Sequence, residues 1–142
     1  MNSFKNVELN GMEKIAKTFS STLKGNEIIC LYGDLGSGKT TFVKFLGNYL
    51  GIDKDITSPT FVIRNDYKAL NFDVYHFDWY RLENSTELFN IGFFDVIDNG
   101  IVIIEWADKF QDIIKNFIRI DLYFEYESLD KRSIKIQNGY NN

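Results

Sequence analysis

Gly33-Asp34-Leu35-Gly36-Ser37-Gly38-Lys39-Thr40 fits the pattern Gly-x-x-x-x-Gly-Lys-[Ser/Thr], the loop with which nucleotide triphosphatases cradle phosphate. Each fixed position has a physical task. Gly33, Gly36 and Gly38 let the backbone curl close to a polyphosphate, so that amide N–H groups converge as an anion nest. Lys39 carries a point charge to the β- and γ-phosphates. The Thr40 hydroxyl suits Mg²⁺, a hard ion that prefers oxygen ligands. The flanks agree. Ile28-Ile29-Cys30-Leu31-Tyr32 is an apolar, β-rich run before the loop, and Thr41-Phe42-Val43-Lys44-Phe45-Leu46 continues after it with helical character. Strand, glycine loop and helix in that order aim a helix N-terminus at the phosphates, which are expected along Gly33 to Thr41.

The 142 residues, 44 % hydrophobic and 25 % charged, have the balance of one soluble globular domain over 1–142. That length buries a core without disulfides or a structural metal. Aromatic residues make up 16 % of the chain, so much of the core is expected to be aromatic. No apolar run is long enough to predict a membrane-spanning helix. Met1-Asn2-Ser3-Phe4-Lys5 lacks the apolar centre of a secretory signal. Cys30 is the one cysteine; inside an apolar strand it reads as a small core residue, and a cytoplasmic location is expected. A net charge of −4 and a pI of about 5.0 argue against nucleic-acid binding as the primary activity, because phosphate contacts need clustered Lys and Arg.

Spacing predicts a helix over 11–23, with Met12, Ile15, Ala16, Phe19 and Leu23 on one face. A strand over 27–32 and a helix over 39–50 flank the phosphate loop. Residues 61–67 and 73–77 read as a hairpin turning through Ala69-Leu70-Asn71. A short helix is expected over 86–90. Ile101-Val102-Ile103-Ile104 has the continuous apolar character of a fully buried strand. Residues 117–124 and 132–137 alternate as a C-terminal antiparallel pair, and 138–142 are expected to fray. Little room remains for long crossovers. The fold expected is therefore α/β: a single P-loop NTPase-like domain whose central sheet is mixed, partly antiparallel and flanked by helices.

Hydrolysis needs acids at the metal, and two stand at the ends of apolar strands. Asp78 follows Val74-Tyr75-His76-Phe77, and Glu105 follows Ile101 to Ile104. A carboxylate in that position must face a cation, water or a donor. On the functional reading Asp78 and Glu105 hold Mg²⁺ with Thr40 and orient the attacking water, with Lys39 as their catalytic companion. On the plain reading each pairs with an arginine, such as Arg64 or Arg81. Thr57-Ser58-Pro59-Thr60-Phe61 contains the one proline. Ser58 or Thr60 either senses the γ-phosphate as part of a switch or merely closes a loop. His76, the one histidine, has no metal cluster or triad partner at a recognisable spacing and reads as structural. Trp79 and Trp106 flank the acids, and Arg81 reads as a partner anchor, a phosphate contact or a surface ion pair.

These stretches in order resemble the TsaE (formerly YjeE) family of bacterial P-loop ATPases of tRNA threonylcarbamoyladenosine (t6A) biosynthesis. The resemblance rests on residues 31–42, on Ser58-Pro59-Thr60-Phe61, on Tyr75-His76-Phe77-Asp78-Trp79-Tyr80-Arg81-Leu82 and on Ile104-Glu105-Trp106. It implies an ATPase that does not itself transfer the threonylcarbamoyl group. Its partners would be a complex of two sugar-kinase-fold proteins, of TsaD and TsaB type, with tRNA engaged indirectly. It implies ATP and Mg²⁺ as cofactors, Lys39 and Thr40 at phosphate and metal, Asp78 and Glu105 at the metal, and Ser58 to Thr60 as a switch. Trp106 would lie beside the nucleotide, and adenine contacts would fall around Leu9 and Asn10. Ser37, Trp79 and Met12 stand where the family often has Ala, Leu and Thr.

A small-molecule kinase is the alternative enzyme class; the stretch between Leu50 and Ile101, with Arg64 and Arg81 as its arginines, is too short for an acceptor pocket and an arginine-rich lid. A GTPase is disfavoured because no Asn-Lys-x-Asp sequence occurs. A nucleotide-dependent binding module without significant turnover is the other alternative. The sequence as a whole favours an ATPase of low intrinsic turnover that depends on a partner.

Overall fold

A computed structural model describes residues 2–139. Its centre is β5 (Ile101–Glu105), each residue of which is buried. It lies parallel to β2 (Ile28–Tyr32) on one side and β4 (Asp73–Asp78) on the other. Strands β6 (Arg119–Ser128) and β7 (Lys131–Gly139) extend the sheet beyond β2, and β1 (Asn2–Val7) closes that side. At the far side β3 (Arg64–Lys68) pairs antiparallel with β4. The seven-stranded order is β1-β7-β6-β2-β5-β4-β3, with β1·β7, β6·β7 and β3·β4 antiparallel. A mixed sheet was expected from the spacing of short strands, and the structure has one.

Two apolar layers cover the faces. On one, α1 (Leu9–Ser20) and α2 (Lys39–Leu50) bury Met12, Ala16, Phe42 and Leu46 against Ile29, Ile101 and Ile103. On the other, α3 (Glu87–Asn90), α4 (Phe93–Val96) and α5 (Gln111–Ile114) pack Leu88, Phe93 and Ile114 on Cys30, Val102 and Ile104. Alternate residues of β5 thus feed separate cores, as a strand buried on both faces requires.

The elements depart from the sequence reading at several points. Helix α1 begins at Leu9 and ends at Ser20 rather than running 11–23. The Ser20, Ser21 and Thr22 hydroxyls donate to the carbonyls of Lys17, Thr18 and Phe19 at 2.6, 2.6 and 2.7 Å, competing with continuation of the helix. β3 begins at Arg64, not Phe61. Pro59 to Ile63 close a turn, the Ile63 N–H donating to the Pro59 carbonyl at 2.6 Å, and Ile63 has φ 71°, a strained value for a β-branched residue. Asn138 and Gly139 are paired in β7 opposite Ile120 and Arg119 and do not fray; residues 140–142 lie outside the described range. β1 was not foreseen. Its ladder with β7 slips by one residue between Phe4 and Val7, where Asn6 has φ 56°.

Candidate active site

Strand β2 runs out at Tyr32 into the glycine loop, and α2 starts at Lys39. Gly33 has φ 149°, and a Cβ there would meet the Phe124 carbonyl and the Ser37 Oγ, each at 2.6 Å. Gly38 caps α2 with φ 106°. Gly33 excludes a side chain on both steric and backbone grounds, and Gly38 on backbone grounds. Within the loop the Ser37 N–H donates to Asp34 (3.0 Å), and the Phe42 N–H to Gly38 (2.9 Å). Among the described residues, the amides of Gly36, Gly38, Lys39 and Thr40 have no backbone acceptor outside the helix. The Ser37 Oγ is buried without a protein partner. These unclaimed donors around a glycine cradle fit a polyphosphate. Leu35 at the loop tip is fully exposed, and Thr40 follows Lys39 in the first turn of α2.

Lys39 is buried at the helix start. Its Nζ donates to the Gly33 carbonyl at 2.5 Å and lies 5.0 Å from the centre of the Trp106 ring. Trp106 directly follows Glu105 and adopts φ 60°, a left-handed turn that leads the chain away from β5. One residue in an uncommon conformation thus joins the end of β5 to the phosphate loop.

The two acids meet by register. Asp78 is the ladder partner of Glu105, and Glu105 in turn is the partner of Leu31 at the end of β2. Both carboxylates are buried and both stand at carboxyl ends of parallel strands, where ligands of open α/β sheets bind. Asp78 Oδ1 accepts from the Tyr80 N–H at 2.9 Å, and Oδ2 accepts from the Thr60 hydroxyl at 3.1 Å. The Thr60 and Ser58 hydroxyls are 2.8 Å apart. The Asp78 N–H holds the strained turn through the Ile63 carbonyl at 2.9 Å. Ser58, Thr60 and Asp78 therefore form one hydrogen-bonded line.

Arginine does not serve the acids as the plain reading supposed. Arg64 pairs with Asp66 at 2.8 Å, and Arg81 reaches the Phe61 carbonyl at 3.4 Å. Glu105 is instead joined to His76, whose Nε2 lies 2.8 Å from Oε2. His76 was read as structural, and the signal for its contact with Glu105 lay in a non-local register. It pairs with Ile103, two residues before Glu105, so the imidazole and the carboxylate are diagonal neighbours on one face. Trp79 is fully buried against Phe93 and Phe110 on the opposite layer, away from Asp78's carboxylate.

A cavity of about 390 Å³ opens beside the loop. Its walls include Gly38 and Thr41 with Leu9, Met12 and Arg132. Leu9 and Met12 stand in the region where base contacts were expected; Asn10 is not among the lining residues. Arg132, which the sequence left without a role, donates Nε–H to the Gly36 carbonyl at 3.2 Å and lies over the Tyr126 ring. A second cavity of about 400 Å³ between α1 and the sheet is walled by Phe4, Ile15, Phe19 and Ile136 and lies away from the loop amides. Among the described residues no group of three or more His, Cys, Asp or Glu side chains gathers as a metal cluster. A cation at the loop would have Asp78, Glu105 and the Thr40 hydroxyl as its protein oxygens, a sparse set suited to Mg²⁺ that keeps water and phosphate ligands.

A family model described as "Threonylcarbamoyl adenosine biosynthesis protein TsaE" matches residues 7–134. The chain belongs to the TsaE family. Among its TsaE-family relatives is the tRNA threonylcarbamoyladenosine biosynthesis protein TsaE of Rickettsia conorii, 40% identical over 107 residues. That match covers 75% of this chain and 59% of the relative. The Rickettsia felis protein of the same name is 38% identical, over 75% of this chain and 60% of its own length. The Aquifex aeolicus TsaE is 33% identical over 126 residues, covering 87% of this chain and 85% of that protein. The crystal structure of Bacillus subtilis YdiB superposes with a TM-score of 0.76 at 27% identity, over 99% of this chain and 86% of that one. Among the described residues of this TsaE-family chain, no helix is long and apolar enough to cross a membrane.

Proposed function

We propose that this chain binds and hydrolyses ATP as the nucleotide-driven component of t6A synthesis. It is a single P-loop ATPase domain of the cytoplasm and acts on partner proteins instead of transferring the threonylcarbamoyl group. The observation that carries the reading is the pairing of Asp78 with Glu105 at the strand ends flanking the phosphate loop. Phosphoryl transfer asks a protein mainly for positioning and charge. Lys39 and the loop amides bind the phosphates. Thr40, Asp78 and Glu105 would hold Mg²⁺, which supplies charge neutralisation on the phosphate oxygens. Glu105 orients the attacking water, and Ser58 and Thr60 report the state of the site to the exposed turn at Phe61 and Val62. Trp106 covers the loop lysine.

Arg64 and Arg81 are engaged elsewhere and the Arg132 Nε–H is tied to the Gly36 carbonyl, which supports a slow intrinsic rate, since an arginine supplied to such sites accelerates them by roughly 10³–10⁵. The partner that completes the site is the TsaD and TsaB type pair of sugar-kinase-fold proteins, through which tRNA is engaged indirectly.

Phosphate release by the purified chain, with and without that pair, tests this reading. Release that rises with the pair is expected; an equal, negligible rate in both sinks it. Lys39→Ala removes a charge-assisted contact and is expected to weaken ATP binding by about 10- to 100-fold. Glu105→Ala is expected to keep binding and lose turnover. ATP binding by Lys39→Ala at the parent affinity would contradict the assignment of the loop.

A further inference from the structure

We infer that His76 is a positioning residue that fixes the Glu105 carboxylate for its work at the nucleotide, an inference that rests on the ATP-hydrolysis reading above. Glu105 ends a run of four buried aliphatic residues, Ile101 to Ile104. Its carboxylate stands on the same face as Ile101 and Ile103, with apolar neighbours beneath it. Left alone, that side chain would rotate between wells or turn outward to water. His76 removes that freedom. Its Nε2 is 2.8 Å from Glu105 Oε2, while Oε1 has no protein hydrogen-bond partner among the described residues. One oxygen is anchored and the other is left for metal or water. Such a supported ligand is the arrangement by which an outer histidine or carboxylate orients an inner one.

The imidazole has no better reason to be where it is. It is 0 % exposed, it stands in β4 between Val74 and Asp78 on one face, and its ladder partner is Ile103. An aliphatic residue would fill that space without burying polar atoms. His76 Nδ1 is buried and has no partner among the described residues. A histidine whose one side-chain hydrogen bond goes to the Glu105 carboxylate, at the cost of an unsatisfied second nitrogen, serves that carboxylate more than the core. The arrangement calls for the proton on Nε2, which donates to Oε2 and leaves a lone pair, not an N–H, on Nδ1.

The test compares His76→Leu, which removes the donor, with His76→Gln, which keeps an N–H at similar reach. Phosphate release is measured together with the partner pair, ATP affinity and the melting midpoint. His76→Leu is expected to lower kcat by about 10- to 100-fold with KM for ATP changed by less than about threefold. His76→Gln is expected to recover most of kcat. A His76→Leu variant with the parent kcat, beside a Glu105→Ala variant that has lost turnover, overturns the inference and leaves the hydrolysis reading intact. Loss of kcat and melting midpoint together, with His76→Gln equally impaired, overturns it in favour of a packing role. Independently of turnover, His76 is the one histidine of the chain, so its ring nitrogens are assignable in ¹⁵N spectra of the tag-free protein. The Nε2–H tautomer is expected, with both ring shifts displaced in Glu105→Ala. An Nδ1–H tautomer, or ring shifts indifferent to Glu105→Ala, would also overturn it.

Discussion

Strand β5 and the β6–β7 arm meet the same phosphate loop in opposite ways. β5 is five residues long, buried along its whole length and parallel to both neighbours, and it ends in its acid. β6 is ten residues long; Leu122 and Phe124 are buried in the layer beneath α1 and α2, and from Glu125 to Ser128 it is exposed. The strand that is held everywhere delivers a carboxylate whose position follows from the sheet. The arm runs on past the end of β2 and delivers Arg132, paired with Val7 and Tyr126, to the loop by a side-chain contact with the Gly36 carbonyl. The candidate acid thus stands on a fully buried strand, and the wall of the adjoining cavity on a hairpin whose end is exposed.

Equal truncations in the two regions give the largest contrast. Ile103→Ala removes a fully packed side chain from β5 and is expected to destabilise by about 2–5 kcal/mol. Ile136→Ala in the arm, where the residue is half-buried, is expected to cost about 1 kcal/mol. Denaturant midpoints decide it, and equal losses would erase the distinction. Arg132→Ala comes next. It should change stability by less than about 1 kcal/mol, as exposed contacts do, while weakening ATP binding about threefold. An unchanged affinity by isothermal titration would detach the arm from the site.

The smallest effect concerns Cys30, which β5 and β6 enclose from either side of β2. Burial, followed by the nearby Asp121 carboxylate, pushes its thiol up to about 12. Its thiolate is therefore scarce at pH 8, and a thiol reagent is expected to label Cys30 only at the rate of global unfolding. Labelling at the rate of a free thiol would mean that β2 opens locally between its two neighbours.

Much of this site was legible because its signals are local. The glycine loop, the helix that starts at Lys39, and Glu105 at the end of an aliphatic run each lie within a few residues of their cause. What escaped was non-local. The hydrogen bond between His76 and Glu105 depends on β4 and β5 lying side by side, which no window of sequence contains. β1 escaped because Asn2-Ser3-Phe4-Lys5-Asn6-Val7 is mostly polar and breaks its own alternation at Asn6. The start of β3 is not legible because Phe61, Val62 and Ile63 have strand propensity, yet the bonds of Ile63 to Pro59 and Asp78 bend them into a turn. The C-terminus of α1 is not legible because its apolar spacing continues to Leu23 after the Ser and Thr hydroxyls have claimed the carbonyls.

The slip in β1 has a bearing beyond the site. An open sheet offers a row of unpaired amides and carbonyls at each border, a template on which further strands can add. Here one border is β1, kinked at Asn6, and the other is Arg64-Asn65-Asp66-Tyr67-Lys68, in which three of the five residues carry charge. Neither presents the long, flat, apolar edge that lets one molecule recruit the next. The kink that hid β1 from the sequence and the charges along β3 both guard the folded protein against growing into a fibre.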